Sequence, residues 1–280
     1  MISALINTFN EARHINLAIR SLKELAGEVV VVDMLSEDGT PEIAAAAGAR
    51  VFSHQRCGFV EPARQFGIAK CRGSWLMVLD ADEIITPRLA GRLGQIASED
   101  SADIVLIPRI NYFFGRAMAH SGVGPEQDRQ ARFFKRGSLH FPPRIHSVSL
   151  APDARLLKLP VREGAILHFT YDTLHQYLEK FNRYTSIEAA QAKERGERPN
   201  ALRTSWSAAK EIALRYFMRG GYRDGWRGLF VCLAMAAYRV ASDCKLREIE
   251  EFPGPTAVLA AYSQIAEGHL RPSQEQPCTK

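Results

Sequence analysis

Through the first hundred residues, short runs that are apolar along their whole length alternate with segments of helical spacing. Ile2-Ser3-Ala4-Leu5-Ile6, Val29-Val30-Val31-Val32, Arg50-Val51-Phe52 and Trp75-Leu76-Met77-Val78-Leu79 read as strands, with another expected around Asp103 to Pro108. A strand with one wetted face would alternate apolar and polar residues, whereas a continuous run is what burial on both faces requires. Between the strands, Ile15, Leu17, Ile19, Leu22 and Leu25 keep helical spacing up to Gly27. Thr40-Pro41-Glu42 supplies a helix N-cap and a proline in the first turn. Glu61 to Cys71 and Thr86-Pro87 to about Ala97 complete the helices. This order predicts βαβ units, hence an α/β fold with a mostly parallel, doubly wound sheet. Ligands of such sheets bind beyond the carboxyl ends of the strands.

Polar residues collect at those ends: Asn7 to Glu11 after the first strand, Asp33 to Thr40 after the second, Asp80-Ala81-Asp82-Glu83 after the fourth. Asp80 and Asp82, two residues apart, are able to face one crevice. A hard cation such as Mg2+ or Mn2+ takes oxygen ligands and shares its shell with substrate phosphates, and there it neutralises charge on a departing diphosphate. The competing reading is an acidic turn that caps the next helix. A carboxylate at Asp33 is placed to accept from a ribose hydroxyl or a base N–H. Arg64 is suited to grip diphosphate oxygens with its planar fork, the alternative being a solvated helix residue.

Beyond residue 110 the pattern changes. Gly115 to Gln130 is rich in glycine and polar residues, and Ala131-Arg132-Phe133-Phe134 reads as a strand. Residues 172 to 194 look helical, a polar linker follows to Asn200, and the rest is helical and basic. Between Arg195 and Arg247 eleven Lys and Arg stand against four acids. Arg215, Arg219, Arg223 and Arg227 recur every four residues, interrupted by Gly220-Gly221, beside Phe217, Trp226, Leu229, Phe230 and Leu233. A basic amphipathic surface of this kind is able to lie on an anionic membrane; the alternative is a solvated basic face. The five cysteines (Cys57, Cys71, Cys232, Cys244 and Cys278) form no C-x-x-C pair, which points to a reducing compartment. No secretory leader is expected, because Asn7, Asn10 and Glu11 interrupt the first apolar run. The longest apolar stretch, Gly228 to Tyr238, is far shorter than the ~20 residues of a membrane span. A net charge of +5 is too small to argue for nucleic acid.

In order and spacing, four segments resemble glycosyltransferase family 2, in the branch containing bacterial lipopolysaccharide-core glucosyltransferases. They are Leu5-Ile6-Asn7-Thr8-Phe9-Asn10-Glu11, Val32-Asp33-Met34-Leu35-Ser36-Glu37-Asp38-Gly39-Thr40, Ala63-Arg64-Gln65-Phe66-Gly67 and Leu79-Asp80-Ala81-Asp82-Glu83. The resemblance continues through Arg132-Phe133-Phe134, Ile145-His146-Ser147, Leu167-His168-Phe169-Thr170-Tyr171 and Gly225-Trp226-Arg227-Gly228. It implies a GT-A fold and inverting transfer of a hexose from a nucleotide diphosphate sugar, UDP-glucose being favoured. The implied acceptor is a glycan or lipid-linked glycan, at the cytoplasmic face of the membrane. On the same basis Phe9, Glu11, Asp33, Arg64 and Asp80 would hold the nucleotide sugar, and Asp82 with His146 would hold Mg2+ or Mn2+. The base would be Asp128, or Glu126 second, while His168 would be structural.

The chain departs from that family in two places. Gly122-Val123-Gly124-Pro125 stands where an aromatic platform is usual, and Ser147 stands where relatives carry a carboxylate. These departures motivate a rival reading as a non-catalytic nucleotide- or glycan-binding protein. A nucleotidyltransferase would show a glycine-rich phosphate loop after the first strand, and Asn7 to Asn10 has no glycine. The expected division is a catalytic domain over 1–195, with a nucleotide-sugar half to about 110 and an acceptor half over 111–195. A basic helical region over 196–280 would follow, disordered from about 268.

Overall fold

In the computed structural model, residues 1–56, 60–142, 148–252 and 254–270 are described. The four apolar runs form β1 (Ile2–Thr8), β2 (Glu28–Asp33), β3 (Arg50–Ser53) and β4 (Trp75–Asp80), all parallel, in the order β3-β2-β1-β4. Register sets Thr8 opposite Asp33 and Asn7 opposite Asp80, so three strands end level with one another. Between them lie α1 (Ile15–Ser21), α2 (Thr40–Ala46) and α3 (Glu61–Lys70), and β4 is followed by β5 (Glu83–Ile85) and α4 (Pro87–Glu99). The Thr86 hydroxyl caps α4 by accepting from Leu89 N.

The sheet continues through β6 (Ile104–Phe113), β7 (Arg116–Ala117), β8 (Arg129–Lys135), β11 (Leu156–Lys158) and β12 (Ile166–Tyr171), while β9 (Leu139–His140) and β10 (Ser149–Leu150) form a separate pair. The main order is β3-β2-β1-β4-β8-β6-β12-β5, with β7 and β11 both on β6. β8 runs antiparallel between β4 and β6. The long strands are therefore mostly parallel, with β8 reversed in their middle, while the short β5 and β7 run antiparallel to β12 and β6.

Successive strand residues point to opposite faces, and both faces are covered. Ala4, Ile6, Val31, Met77, Leu79 and Phe133 pack with Ile15, Ile19, Leu89 and Leu93 from α1 and α4. Leu5, Val30, Val32, Leu76, Val78 and Phe134 pack on the other side with Ala63 and Ile68 of α3. This is the physical reason the strands carry no polar alternation.

The chain divides into two compact units, Met1–Thr173 with Arg219–Gly228, and Leu174–Met218 with Leu229–Lys280. The first break between these units falls after Thr173, ahead of the helix that follows. In the first unit, Asp224 accepts from the Ala119 and His120 backbone N–H groups and from the Ser121 hydroxyl. Arg227 donates to the Phe113 and Phe114 carbonyls, and Trp226 stacks on Phe114. The second unit contains α5 (Leu174–Glu194), α6 (Ala201–Ile212), α8 (Pro255–Leu270) and, from Leu229 on, α7 (Gly225–Glu251). Ala189 and Ala192 of α5 share a small core with Leu246 of α7, and Lys245 Nζ donates to Asn182 O, Thr185 Oγ1 and Ser186 Oγ. No helix among the described residues is long and apolar enough to cross a membrane.

Gly67 marks the closest approach of α3 to the sheet: a Cβ there would lie 2.9 Å from Val32 Cγ2 and closer still to Leu5. Gly67→Ala is expected to lower stability by about 1–3 kcal/mol through overpacking. Gly91 of α4 has open space around it, so Gly91→Ala should raise stability by up to about 1 kcal/mol. Thermal denaturation of both variants checks the pair; equal effects would contradict the packing described.

Candidate functional site

The loops after β1 and β2 are bound to each other at the level strand ends. Ser36 Oγ accepts from Asn10 N at 2.8 Å, and Asn10 Oδ1 accepts from Glu37 N at 2.9 Å. Thr40 Oγ1 accepts from Glu11 N, and Asp38 Oδ2 from Ala12 N. Asp33, 3% exposed, accepts from Ser36 N at 3.0 Å and from the Ser36 hydroxyl at 2.5 Å. Asn10 and Leu35 adopt positive φ of 54° and 62°. For Leu35 this is a strained conformation held in place by the cross-links around it, as functional loops often are. The Arg56 guanidinium lies 3.9 Å from the Phe9 ring centroid, a cation–π stack. Glu11 accepts from His14 Nδ1 at 2.9 Å; that hydrogen bond, outweighing burial, raises the His14 pKa.

Asp80 is held by two arginines. Arg64 of α3 donates Nη2 to Oδ1 at 2.5 Å, and Arg132 of β8 donates Nη2 to Oδ2. Burial opposes ionisation of Asp80, but the Arg132 and Arg64 charges outweigh it and hold the carboxyl well below the usual range. Arg132 is 5% exposed, and its Nη2 also lies 3.5 Å from Glu83 Oε1. Glu83, fully buried, accepts from Arg109 Nη1 at 3.0 Å and from Asp80 N at 2.9 Å. Among the described residues, Arg64 Nε, Arg132 Nε and both amide atoms of Asn7 are buried with no partner.

Asp82 faces a different neighbour. Its Oδ2 lies 3.4 Å from His168 Nε2 on β12. The Asn111 side chain donates Nδ2 to Val123 O and to Asp128 Oδ2, which leaves its Oδ1 to accept from His168 Nδ1 at 2.7 Å. With the proton on Nδ1, the Nε2 lone pair is directed toward Asp82. Two ligands of one ion at about 2.1 Å each stand about 3 Å apart, so this oxygen–nitrogen pair fits a divalent cation. Among the described residues no group of three or more His, Cys, Asp and Glu side chains forms such a site, so an ion held by this pair would need further ligands.

Asp128, beside β8, accepts from Arg109 Nε at 2.9 Å, Asn111 Nδ2 at 2.7 Å and Gln130 Nε2 at 2.6 Å. Burial pushes its pKa up, but the Arg109 charge and these hydrogen bonds bring it below the ordinary carboxylate value. Arg109 thus bridges Glu83 and Asp128. Glu126 is different: its side chain is 67% exposed and pairs with Arg129 at 2.8 Å.

The structure therefore brings Arg64, Asp80 and Asp82 to one strand end, with Asp33 across the β1 register. It links Asp82 to Asp128 through His168 and Asn111. His146, expected as a metal ligand, lies outside the described residues, as does Ser147. Sequence reasoning did not single out Arg132, Arg109, Asn111 or Glu83, and it gave His168 only a structural role. Arg132, Glu83 and His168 sat inside quoted motifs; Arg109 and Asn111 carried no signal. Val123 and Gly124, in the segment lacking an aromatic platform, serve through backbone carbonyls that accept from Asn111 Nδ2 and Asp128 N.

Residues 3–147, more than half of the chain, match the family model described as Glycosyl transferase family 2. An uncharacterized glycosyltransferase of Rickettsia bellii is 27% identical over 255 residues, covering 89% of this chain and 86% of that protein. The lipopolysaccharide core biosynthesis glycosyltransferase LpsC of Rhizobium meliloti is 26% identical over 252 residues, 88% of this chain and 91% of the relative. Among solved structures, S. aureus TarS (residues 1–349) aligns with a TM-score of 0.46 at 15% identity, over 69% of this chain and 64% of that one. Glucosyl-3-phosphoglycerate synthase from Mycobacterium tuberculosis, solved with Mn2+, UDP and glucosyl-3-phosphoglycerate, aligns with a TM-score of 0.35 at 25% identity, over 40% and 44% of the two chains.

The arginine clamp has a stability consequence. Removing Arg132 leaves Asp80 and Glu83 short of a buried partner, so Arg132→Met should cost about 3 kcal/mol in denaturant unfolding. Because the folded pKa of Asp80 is lowered, its contribution is complete above the ordinary carboxylate pKa and is lost as pH falls through the folded value. Wild-type stability should fall on acidification through that window, and the Arg132→Met variant should fall less steeply. Parallel pH profiles would contradict the assignment.

Proposed function

Because the chain belongs to glycosyltransferase family 2, we propose that it moves a hexose, with inversion, from a UDP-sugar to a sugar of lipopolysaccharide core or a related surface glycan. The observation that carries this reading is the convergence of Asp33, Arg64, Asp80 and Asp82 at three level strand ends. That is where doubly wound sheets receive their ligands. The relative named for lipopolysaccharide core biosynthesis supports the acceptor class.

In this reading Asp33 takes the ribose or base, and the Phe9–Arg56 stack borders the base. Arg64 faces the diphosphate while holding Asp80. Asp82 and His168 would hold Mg2+ or Mn2+, which when bound would supply positive charge to the departing diphosphate. His146 and the segment around it remain candidates to complete the site. The acceptor oxygen attacks the anomeric carbon from the face opposite the diphosphate. The new C–O bond forms as the bond to UDP breaks, and Asp128 takes the hydroxyl proton. A carboxylate of low pKa is a weak base, so the proton leaves late, once the forming bond has made the oxygen acidic. Arg109, Asn111 and Gln130 keep Asp128 ionised and fixed in direction. Glu126, exposed nearby in sequence, is the second candidate. The location proposed is the cytoplasm, at the inner face of the membrane.

The test is nucleotide release from a panel of UDP-sugars with Mn2+ and a glycan acceptor. Asp82→Ala or a chelator should lower release about a hundredfold or more. Release insensitive to both would overturn the metal assignment, and no release from any donor would favour a binding-only protein. Arg109→Met should move the acidic limb of kcat/KM to higher pH, because the charge that keeps Asp128 ionised is gone. A limb that does not move would remove Asp128 from the base role.

A further inference from the structure

α6 carries its apolar residues on the outside. Leu202 is 86% exposed, Trp206 74% and Phe217 67%, and Ala209 and Ala213 between them are exposed too. Spacings of four, three, four and four put these five on one side of α6 and of the π turn Ala213–Met218 that continues it. Of the α6 residues turned the other way, Thr204, Ser207, Ala208 and Ile212 are half-buried, and only Ile212 is large and apolar. No residue of α6 is buried. A helix that only packed against its neighbours would show the reverse order, and water is an unfavourable phase for this one.

The charges sort in the same way. Exposed Arg203 and Lys210 border the stripe. The single acid of α6, Glu211, lies on the opposite side, tied to Arg215 at 2.8 Å and Arg239 at 3.1 Å. Of the four-residue arginine repeat, Arg215 and Arg227 are thus taken up by internal partners. The basic character of the outer face comes instead from Arg203 and Lys210.

We propose that this face of α6 docks in the interface of an anionic phospholipid bilayer, lying along the surface. Leucine and aromatic side chains on one side with Lys and Arg at its border are the composition of an interfacial helix, and anionic headgroups complement the two cations. A second copy of the chain fits less well. A two-fold contact would set Arg203 and Lys210 against their own copies with no acid on that face to meet them. The inference rests on α6 alone and is independent of the proposed reaction.

The test is co-sedimentation of the full chain with phosphatidylcholine vesicles, with and without phosphatidylglycerol, in the absence of any sugar. Wild type should sediment with the anionic vesicles and be released by salt. Leu202→Ser with Trp206→Ser should lower the partition coefficient about tenfold or more at unchanged helicity by circular dichroism. Arg203→Gln with Lys210→Gln should lower it about tenfold on anionic vesicles only. Leu259→Ser, an exposed leucine of α8, should leave it unchanged. Failure of wild type to sediment with anionic vesicles would overturn the proposal, as would undiminished binding by the Leu202/Trp206 variant. A dimer that the same variant dissociates, measured by sedimentation velocity, would assign the face to a second copy instead.

Discussion

The carboxylate of Asp80 stands at the end of a buried strand with a guanidinium on each of its oxygens. From it a line of alternating charge runs through Arg132, Glu83 and Arg109 to Asp128. Taking any one of these charges out of water costs several kcal/mol unless a partner compensates it. The line therefore fixes where α3, β5, β6 and β8 stand against β4, because each element contributes a charge that its neighbours need. It also distinguishes two aspartates only two residues apart. Asp80 is committed to its arginines, whereas Asp82 faces His168, and it is Asp82 that is proposed to meet the cation.

The second constraint is the lacing of the loops after β1 and β2. Side chains of Asn10, Ser36, Asp38 and Thr40 satisfy backbone groups that would otherwise be left open at the strand ends. Those bonds hold Leu35 at a positive φ that a leucine would not choose. The result is a rim of cross-linked loops at the level strand ends that includes Asp33. A preorganised rim costs nothing further to arrange when a ligand arrives, which is how stability is converted into recognition.

Much of this was legible in the sequence because it is written locally. The apolar runs gave β1, β2 and β4 nearly to the residue, and Thr86-Pro87 marked the start of α4 with its cap. Thr40-Pro41 opens α2 as well, but Gly39 stands at the N-cap and the Thr40 hydroxyl binds Glu11 N instead of capping the helix. Ala131 to Phe134 read as a strand, but nothing local says that β8 runs backwards between β4 and β6; that is set by pairing across the chain. Arg132 is the sharpest case. It stood inside a quoted motif, yet its partner Asp80 is 52 residues away, and ion pairing at that range leaves no periodicity to read. Asn111 and Arg109 were invisible for the same reason. The pairing of α5 with α7 through Ala189, Ala192 and Leu246 is likewise set by contact across the chain, not by a local pattern. The basic repeat drew attention to arginines that turn out to hold backbone carbonyls and a glutamate.

The central claim is that the two aspartates have separate duties, Asp80 holding arginines and Asp82 holding the cation against a diphosphate. A crystal structure with UDP and Mn2+ tests it most directly. The account predicts the ion bonded to Asp82, His168 and diphosphate oxygens, with Asp80 still paired to Arg132. An ion bonded to Asp80 with the Arg132 pair broken, or a diphosphate seated away from Arg64, would contradict it.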